Sequence, residues 1–276
     1  MGIIIDACFV CGHFALYYAH HRTFILPMSA TIITAELLKS APFAWNIDQQ
    51  IAPPQRWVSL YVPRSALYGN AVLAGAAALR CGSQLRIIAS GPEISALALA
   101  LPESTFGQED QSATTEAVPC LLEKPQSLPQ RAGVVAGATD GLSQDWISAV
   151  SQISENAAAN NTIAGGWPQL KVLLADGSSF EPESRPAKDG PLPFVAGSEF
   201  VLAGVCSALL ARGLSTDAAA VWGVYLMHLS LEAAAKDVGI DSVRAADLAA
   251  RLGGSLRYAT RHADANAAPR PGLRPR

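Results

Sequence analysis

The chain has 276 residues, of which 50% are hydrophobic and 16% are charged, so it can bury a substantial core. Its net charge of -3 excludes the basic surplus on which nucleic-acid binding depends. The 5 cysteines are odd in number and scattered, which is not the pattern of a disulfide framework. We therefore expect a protein of the reducing cytoplasm with no nucleic-acid partner.

The first 28 residues differ from the chain that follows. They are apolar, but they lack the basic start and small-residue cleavage site of a signal peptide and are too interrupted for a membrane span. Five of their residues suggest a metal site: Cys8, Cys11, His13, His20 and His21. Because no second spaced pair follows, we favour a chance pattern and expect no metal site. We interpret residues 1–28 as an extension and residues 29–260 as one α/β domain without a membrane partner.

Strands and helices alternate through the first half of the chain. Thr34 is the predicted N-cap of a short helix that ends at Ser40. Two further helices each follow a strand, in the order Val58–Val62, Asn70–Arg80, Leu85–Ala89 and Glu93–Leu101. This alternation predicts βαβ units and a mostly parallel sheet.

The middle of the chain is polar and contains many prolines. We predict a long loop over Glu103–Arg131 and a strand at Gly133–Ala136. Two more strands, Lys171–Ala175 and Ser179–Glu181, flank Asp176-Gly177. That pair is typical of a hairpin turn in which both central residues have positive φ.

The last third of the chain is helical. Three predicted helices have both a start and a stop signal: Val201–Arg212 before Gly213, Thr216–Val238 after the N-cap Ser215, and Val243–Leu252 between the cap Ser242 and Gly253-Gly254. Residues 261–276 are rich in Ala, Pro and Arg and contain little apolar surface to pack, so we expect a disordered tail.

Two segments of the chain share motifs with a known family. In Val58–Leu85, a strand leads to the step Leu67-Tyr68-Gly69-Asn70 and an Ala-rich helix ending Ala77-Ala78-Leu79-Arg80-Cys81-Gly82. In Val195–Leu252, the turn Ala196-Gly197-Ser198 precedes a Val-Leu-Ala-Gly helix, which closes with Leu209-Leu210-Ala211-Arg212-Gly213-Leu214-Ser215. These motifs resemble those of the NAD(P)H-hydrate dehydratase family.

The resemblance implies an α/β fold, the ribokinase-like layered sandwich, with a mostly parallel sheet flanked by helices. It implies ADP or ATP as cofactor, with Mg²⁺ as a possible companion, and an NAD(P)H hydrate as substrate. A homo-oligomer is left open. The positions that match ligand-contacting turns of the family are Gly69, Asn70, Gly137, Gly197 and Ser198.

The chain departs from the family pattern at the catalytic positions. The Asp that serves the family as general base is Phe200 here, which cannot accept a proton. The preceding Gly is Glu199, which brings a carboxylate to the helix N-terminus where phosphate docks. Glu199 is either a relocated base or a first-turn residue that stabilises the helix dipole behind the cap Ser198, and we favour the second interpretation. His228 lies one position beyond the family's His and is predicted to be a core or interface residue.

Three functions remain open from the sequence. The first is a divergent ADP- or ATP-dependent NAD(P)H-hydrate dehydratase acting in nicotinamide nucleotide repair. The second is an inactive relative that binds a nucleotide-like ligand or a protein partner. The third is a small-molecule kinase of the same fold. Because Phe200 replaces the base that the first and third functions need, the residues favour the second.

The extension yields a direct prediction. Residues before Met28 lack a periodic apolar face and lie outside the matched segments, so they should add little to stability. A chain that starts at Met28 should melt at the same temperature as the full chain when followed by circular dichroism. A drop of many degrees would show that the extension belongs to the core.

Overall fold

The computed structural model describes residues 30–45, 56–63, 68–89, 93–107, 117–123, 131–137, 145–150, 161–164, 170–182 and 195–264. Ten strands form one sheet: β1 (Thr31–Ile33), β2 (Trp57–Val62), β3 (Gln84–Ala89), β4 (Thr105–Gly107), β5 (Val118–Leu121), β6 (Gly133–Ala136), β7 (Trp146–Val150), β8 (Asn161–Ala164), β9 (Lys171–Leu173) and β10 (Ser179–Pro182). The described helices are α1 (Tyr68–Arg80), α2 (Glu93–Ala100), α3 (Ser198–Ala211), α4 (Thr216–Val238) and α5 (Ala245–Asp264).

The sheet is mostly parallel, as the alternation of elements predicts. Its order is β1-β10-β9-β8-β7-β6-β5-β2-β3-β4, and only β9 runs against its neighbours. The chain moves outward from β2 to β3 and β4, then returns to β5 on the other side of β2. From β5 it proceeds through parallel neighbours to β8.

The helices form layers on one face of the sheet. Helices α1, α3 and α4 pack on the strands, α2 packs on α1, and α5 lies across α4 and α1. Helix α3 runs parallel to α1, since Gly197 lies by Leu73 at one end and Arg212 by Cys81 at the other. Helix α4 runs antiparallel to α3. The predicted placement of the three C-terminal helices on one side of the sheet is confirmed.

The two faces of the sheet bury different residues. In β6, Val134 and Ala136 belong to the main core beneath the helices, while Val135 belongs to a smaller cluster with Leu121 and Trp146. Successive side chains of a strand point to opposite faces, so the smaller cluster lies on the face away from α3.

An aromatic cluster holds the segment after β1 against the helices. The Trp222 indole N–H donates a hydrogen bond to the Phe43 carbonyl at 2.9 Å, and the Phe43 and Phe180 rings meet edge to face. Trp45 packs against Trp222 and under the Arg212 guanidinium, 4.9 Å from the ring centroid. Burial, and secondarily the charge of Arg56, lower the pKa of Arg212 to about 10.

The predicted loop over Glu103–Arg131 is wrong in part, because it contains β4 and β5. Pro119 argues against a central strand, since proline cannot donate to a ladder. The structure accommodates it next to Gly133, where a Cβ would lie 2.7 Å from the Pro119 ring. Strands β7 and β8 are also absent from the prediction, because they are too short to show a period.

Helix boundaries differ from the predictions where tertiary contacts intervene. Helix α5 begins at Ala245, not Val243, and Asp247 accepts a hydrogen bond from the Arg244 N–H at 2.8 Å, so Ser242 is not the cap. The helix continues through Gly253-Gly254 to Asp264, and at Gly253 a Cβ would lie 3.5 Å from the Arg80 carbonyl oxygen of α1, an ordinary van der Waals contact. Residues 261–264 of the predicted tail are therefore helical, and the rest of that tail lies outside the described residues.

Local turns correct two further predictions. The helix predicted from Thr34 to Ser40 is a single 3-10 turn at Leu37–Lys39, although Thr34 does accept a hydrogen bond from the Leu37 N–H at 3.2 Å. In the β9–β10 hairpin only Gly177 has positive φ, at 87°. Asp176 instead accepts hydrogen bonds from the side chain and backbone of Ser178, which lower the pKa of its carboxyl.

The cysteines in the described part of the chain and most of the long apolar helix α4 are buried inside the fold. Cys81, Cys120 and Cys206 are free and buried, and burial raises the pKa of Cys81 to about 12 and of Cys120 to about 11. By length and composition α4 could cross a membrane, but 72% of its most apolar window is buried inside the fold. The metal pattern of Cys8 and Cys11 lies outside the described residues.

Gly204 offers a test of the helix layer. A Cβ at Gly204 would overlap the Ala74 carbonyl oxygen of α1, so we expect Gly204→Ala to lower the free energy of unfolding by about 1–3 kcal/mol. The matched change Gly69→Ala meets nothing within 4 Å and should cause no loss, with a gain of at most ~1 kcal/mol. Urea unfolding followed by circular dichroism measures both; equal effects would contradict the proposed contact.

Candidate functional site

The carboxyl ends of the parallel strands form the edge at which a ligand site is expected. The strand order reverses at β2, whose neighbours are β3 and β5. In open α/β sheets, ligands bind outside the carboxyl ends of strands at such a reversal. Helix α1 follows β2 and begins at this edge, and the parallel helix α3 begins beside it.

The turn before α3 is shaped by Gly197. This residue is the N-cap, with φ 85° and ψ 0°, a left-handed conformation that favours glycine. Its carbonyl accepts from the Phe200 N–H at 3.2 Å, and the Ser198 N–H donates to Val195 at 3.1 Å. The prediction that Ser198 caps the helix is wrong: Ser198 is the first helical residue, and no side chain caps α3.

Neighbouring helices close around this turn. A Cβ at Gly197 would lie 3.0 Å from Leu73 Cδ1 and 3.6 Å from the Ala245 Cβ, so both α1 and α5 reach it. Gly69 lies one helical turn before Leu73 on the same face of α1. The structure therefore brings Gly69 and Asn70 to the same edge as Gly197 and Ser198.

The remaining predicted ligand position, Gly137, lies at the same edge of the sheet. It follows β6, has φ 85°, and donates its N–H to the Ala149 carbonyl at 2.7 Å. A Cβ there, as at Gly69, would meet nothing within 4 Å, so the backbone is open to approach at both residues. Asn70 is half-buried, whereas Gly69 and Gly137 are exposed.

The first turn of α3 carries the two altered catalytic positions. Phe200 is half-buried and packs against the main hydrophobic core, so an apolar ring occupies the position at which the family pattern has a carboxylate. Glu199 is half-exposed in the same turn, where a negative charge interacts favourably with the helix dipole. Adjacent helical residues point about 100° apart, so Glu199 and Phe200 face different directions.

The described residues do not form a metal site built from protein side chains alone. They contain no group of three or more His, Cys, Asp and Glu side chains that could hold a metal ion. Of the nearby carboxylates, Asp247 caps α5. Glycine backbone and the N-terminus of α3 are present at this edge, and both suit phosphate oxygens.

His228 lies away from this edge, as its predicted core or interface role implies. It is 8% exposed on α4, and its Nε2 lies 3.4 Å from a Glu232 carboxylate oxygen. It contributes to a groove between α4 and α5 that sequence reasoning did not find. The signal for that groove was a polar stripe at helical spacing along α4, from Tyr225 to Lys236.

Comparison with known proteins identifies the fold. No protein-family model and no curated protein matches the chain. A hypothetical protein from Streptococcus mutans superposes with a TM-score of 0.65 at 14% identity, covering 83% of this chain and 100% of that one. A ribokinase-like superfamily protein from Enterococcus faecalis superposes with a TM-score of 0.59 at 12% sequence identity, and the superposition covers 83% of this chain and 96% of that one. An ADP/ATP-dependent NAD(P)H-hydrate dehydratase from Bacillus subtilis, co-crystallized with ATP/Mg²⁺, superposes with a TM-score of 0.57 at 15% sequence identity. This superposition covers 84% of this chain and 99% of that one.

These likenesses define an α/β protein with the ribokinase-like fold. The dehydratase resemblance of the two sequence segments is confirmed at the level of the fold, since dehydratases are among the structural neighbours. At such identities the chemistry has to be argued from the residues of the site themselves.

The Gly197 turn can be tested by two matched substitutions. Gly197→Ala should lower the free energy of unfolding by roughly 1–2 kcal/mol, because alanine is strained in the left-handed backbone conformation. The new Cβ must also displace Leu73, which lowers the free energy of unfolding further. Gly137 has the same φ but open space around it, so Gly137→Ala should lower the free energy of unfolding only by the cost of the left-handed backbone. Chemical denaturation measures the difference, and an equal loss would show that Leu73 does not confine the turn.

Proposed function

We propose that this chain is a ribokinase-like protein that has lost NAD(P)H-hydrate dehydration and binds a nucleotide-like ligand at the carboxyl edge of its sheet. The observation that carries the proposal is Phe200, which packs against the hydrophobic core in the first turn of α3. In the pattern that the sequence resembles, this position holds the general base.

The loss of the base has a large expected effect on rate. A positioned general base contributes about 10²–10⁴-fold, and phenylalanine cannot replace it. Losing a single donor that stabilises developing charge costs about 10²–10³-fold, and Glu199 adds a like charge where a phosphate oxygen would dock. Two such losses would bring a modest enzyme to background.

Ligand binding is supported by the backbone at the same edge. Gly69 and Gly137 leave open space beside the backbone. Helices α1 and α3 both begin at this edge, and no side chain caps the N-terminal N–H groups of α3. We propose that Gly69, Asn70, Gly137, Gly197 and Ser198 contact the ligand. The ATP in the Bacillus subtilis dehydratase crystals suggests an adenine nucleotide as the first ligand to try, in a protein of the cytoplasm.

Glu199 gives a second candidate function. It is half-exposed and adjacent to the missing base, so a long side chain could act as a relocated base in an active ADP- or ATP-dependent dehydratase. A small-molecule kinase of the same fold needs a base at the same turn, and Phe200 argues against it equally.

The activity prediction is direct. Purified protein mixed with NADHX and ADP or ATP should show no return of absorbance at the reduced nicotinamide band. Turnover that disappears in Glu199→Gln but persists in the exposed control Asp241→Asn would overturn the proposal and establish Glu199 as the base. Turnover that survives both changes would overturn it as well and place the base elsewhere.

Nucleotide binding is tested separately by calorimetry. The double variant Glu199→Gly with Phe200→Asp moves the charge to the family position and should bind ADP about fivefold more tightly or better, because a like charge at contact costs ~1–4 kcal/mol. Its dehydration rate should remain at background. A double variant that binds ADP no better than the wild type would contradict docking of phosphate at Gly197.

A further inference from the structure

We draw no further inference here: the strongest candidate, the groove between α4 and α5 that Tyr225, His228 and Tyr258 line, carries nothing because no feature of the described part of the chain shows what covers it.

Discussion

The close approach of α1 and α3 is the constraint on which the rest of the structure depends. At Gly204 no side chain separates the two helices, because a Cβ there would overlap the backbone of Ala74. A similar fit recurs at Gly223, where a Cβ would lie 2.6 Å from the Cys206 sulfur between α3 and α4. Small residues therefore let three helices share one face of the sheet, and α5 can cover them as a further layer.

This packing also places the candidate site. Because α1 and α3 are parallel and in contact along their length, their N-termini must lie side by side at the carboxyl edge of the strands. Gly69 and Asn70 share this edge with the Gly197 turn for this reason, although more than a hundred residues separate them in the chain. The helix packing thus sets the backbone geometry of the candidate site at this edge.

A scaffold and a catalytic site place different demands on a sequence. The fold of this protein superposes on ribokinase-like proteins and on a dehydratase at 12–15% identity. The helix contacts survive at that identity because they need only small or apolar residues of suitable volume. Catalysis by a general base needs a carboxylate at one particular position, whereas an apolar ring such as that of Phe200 packs against the core without one.

Local signals in the sequence determined much of the fold. Helix α4 begins at the predicted cap, where Ser215 accepts from the Ala218 N–H at 3.2 Å, and the alternation around α1 correctly indicated a parallel sheet. Tertiary structure alone decided that Pro119 lies in a central strand beside Gly133, and that Gly253-Gly254 continue α5 instead of ending it. Gly133 leaves room for the Pro119 ring, and α5 continues through its two glycines while it packs on α1 and α4. Caps and periodicity depend on residues close together in the chain, so the sequence alone predicts them. Contacts between distant segments, including those around the Gly197 turn and between α4 and α5, form only once the chain has folded.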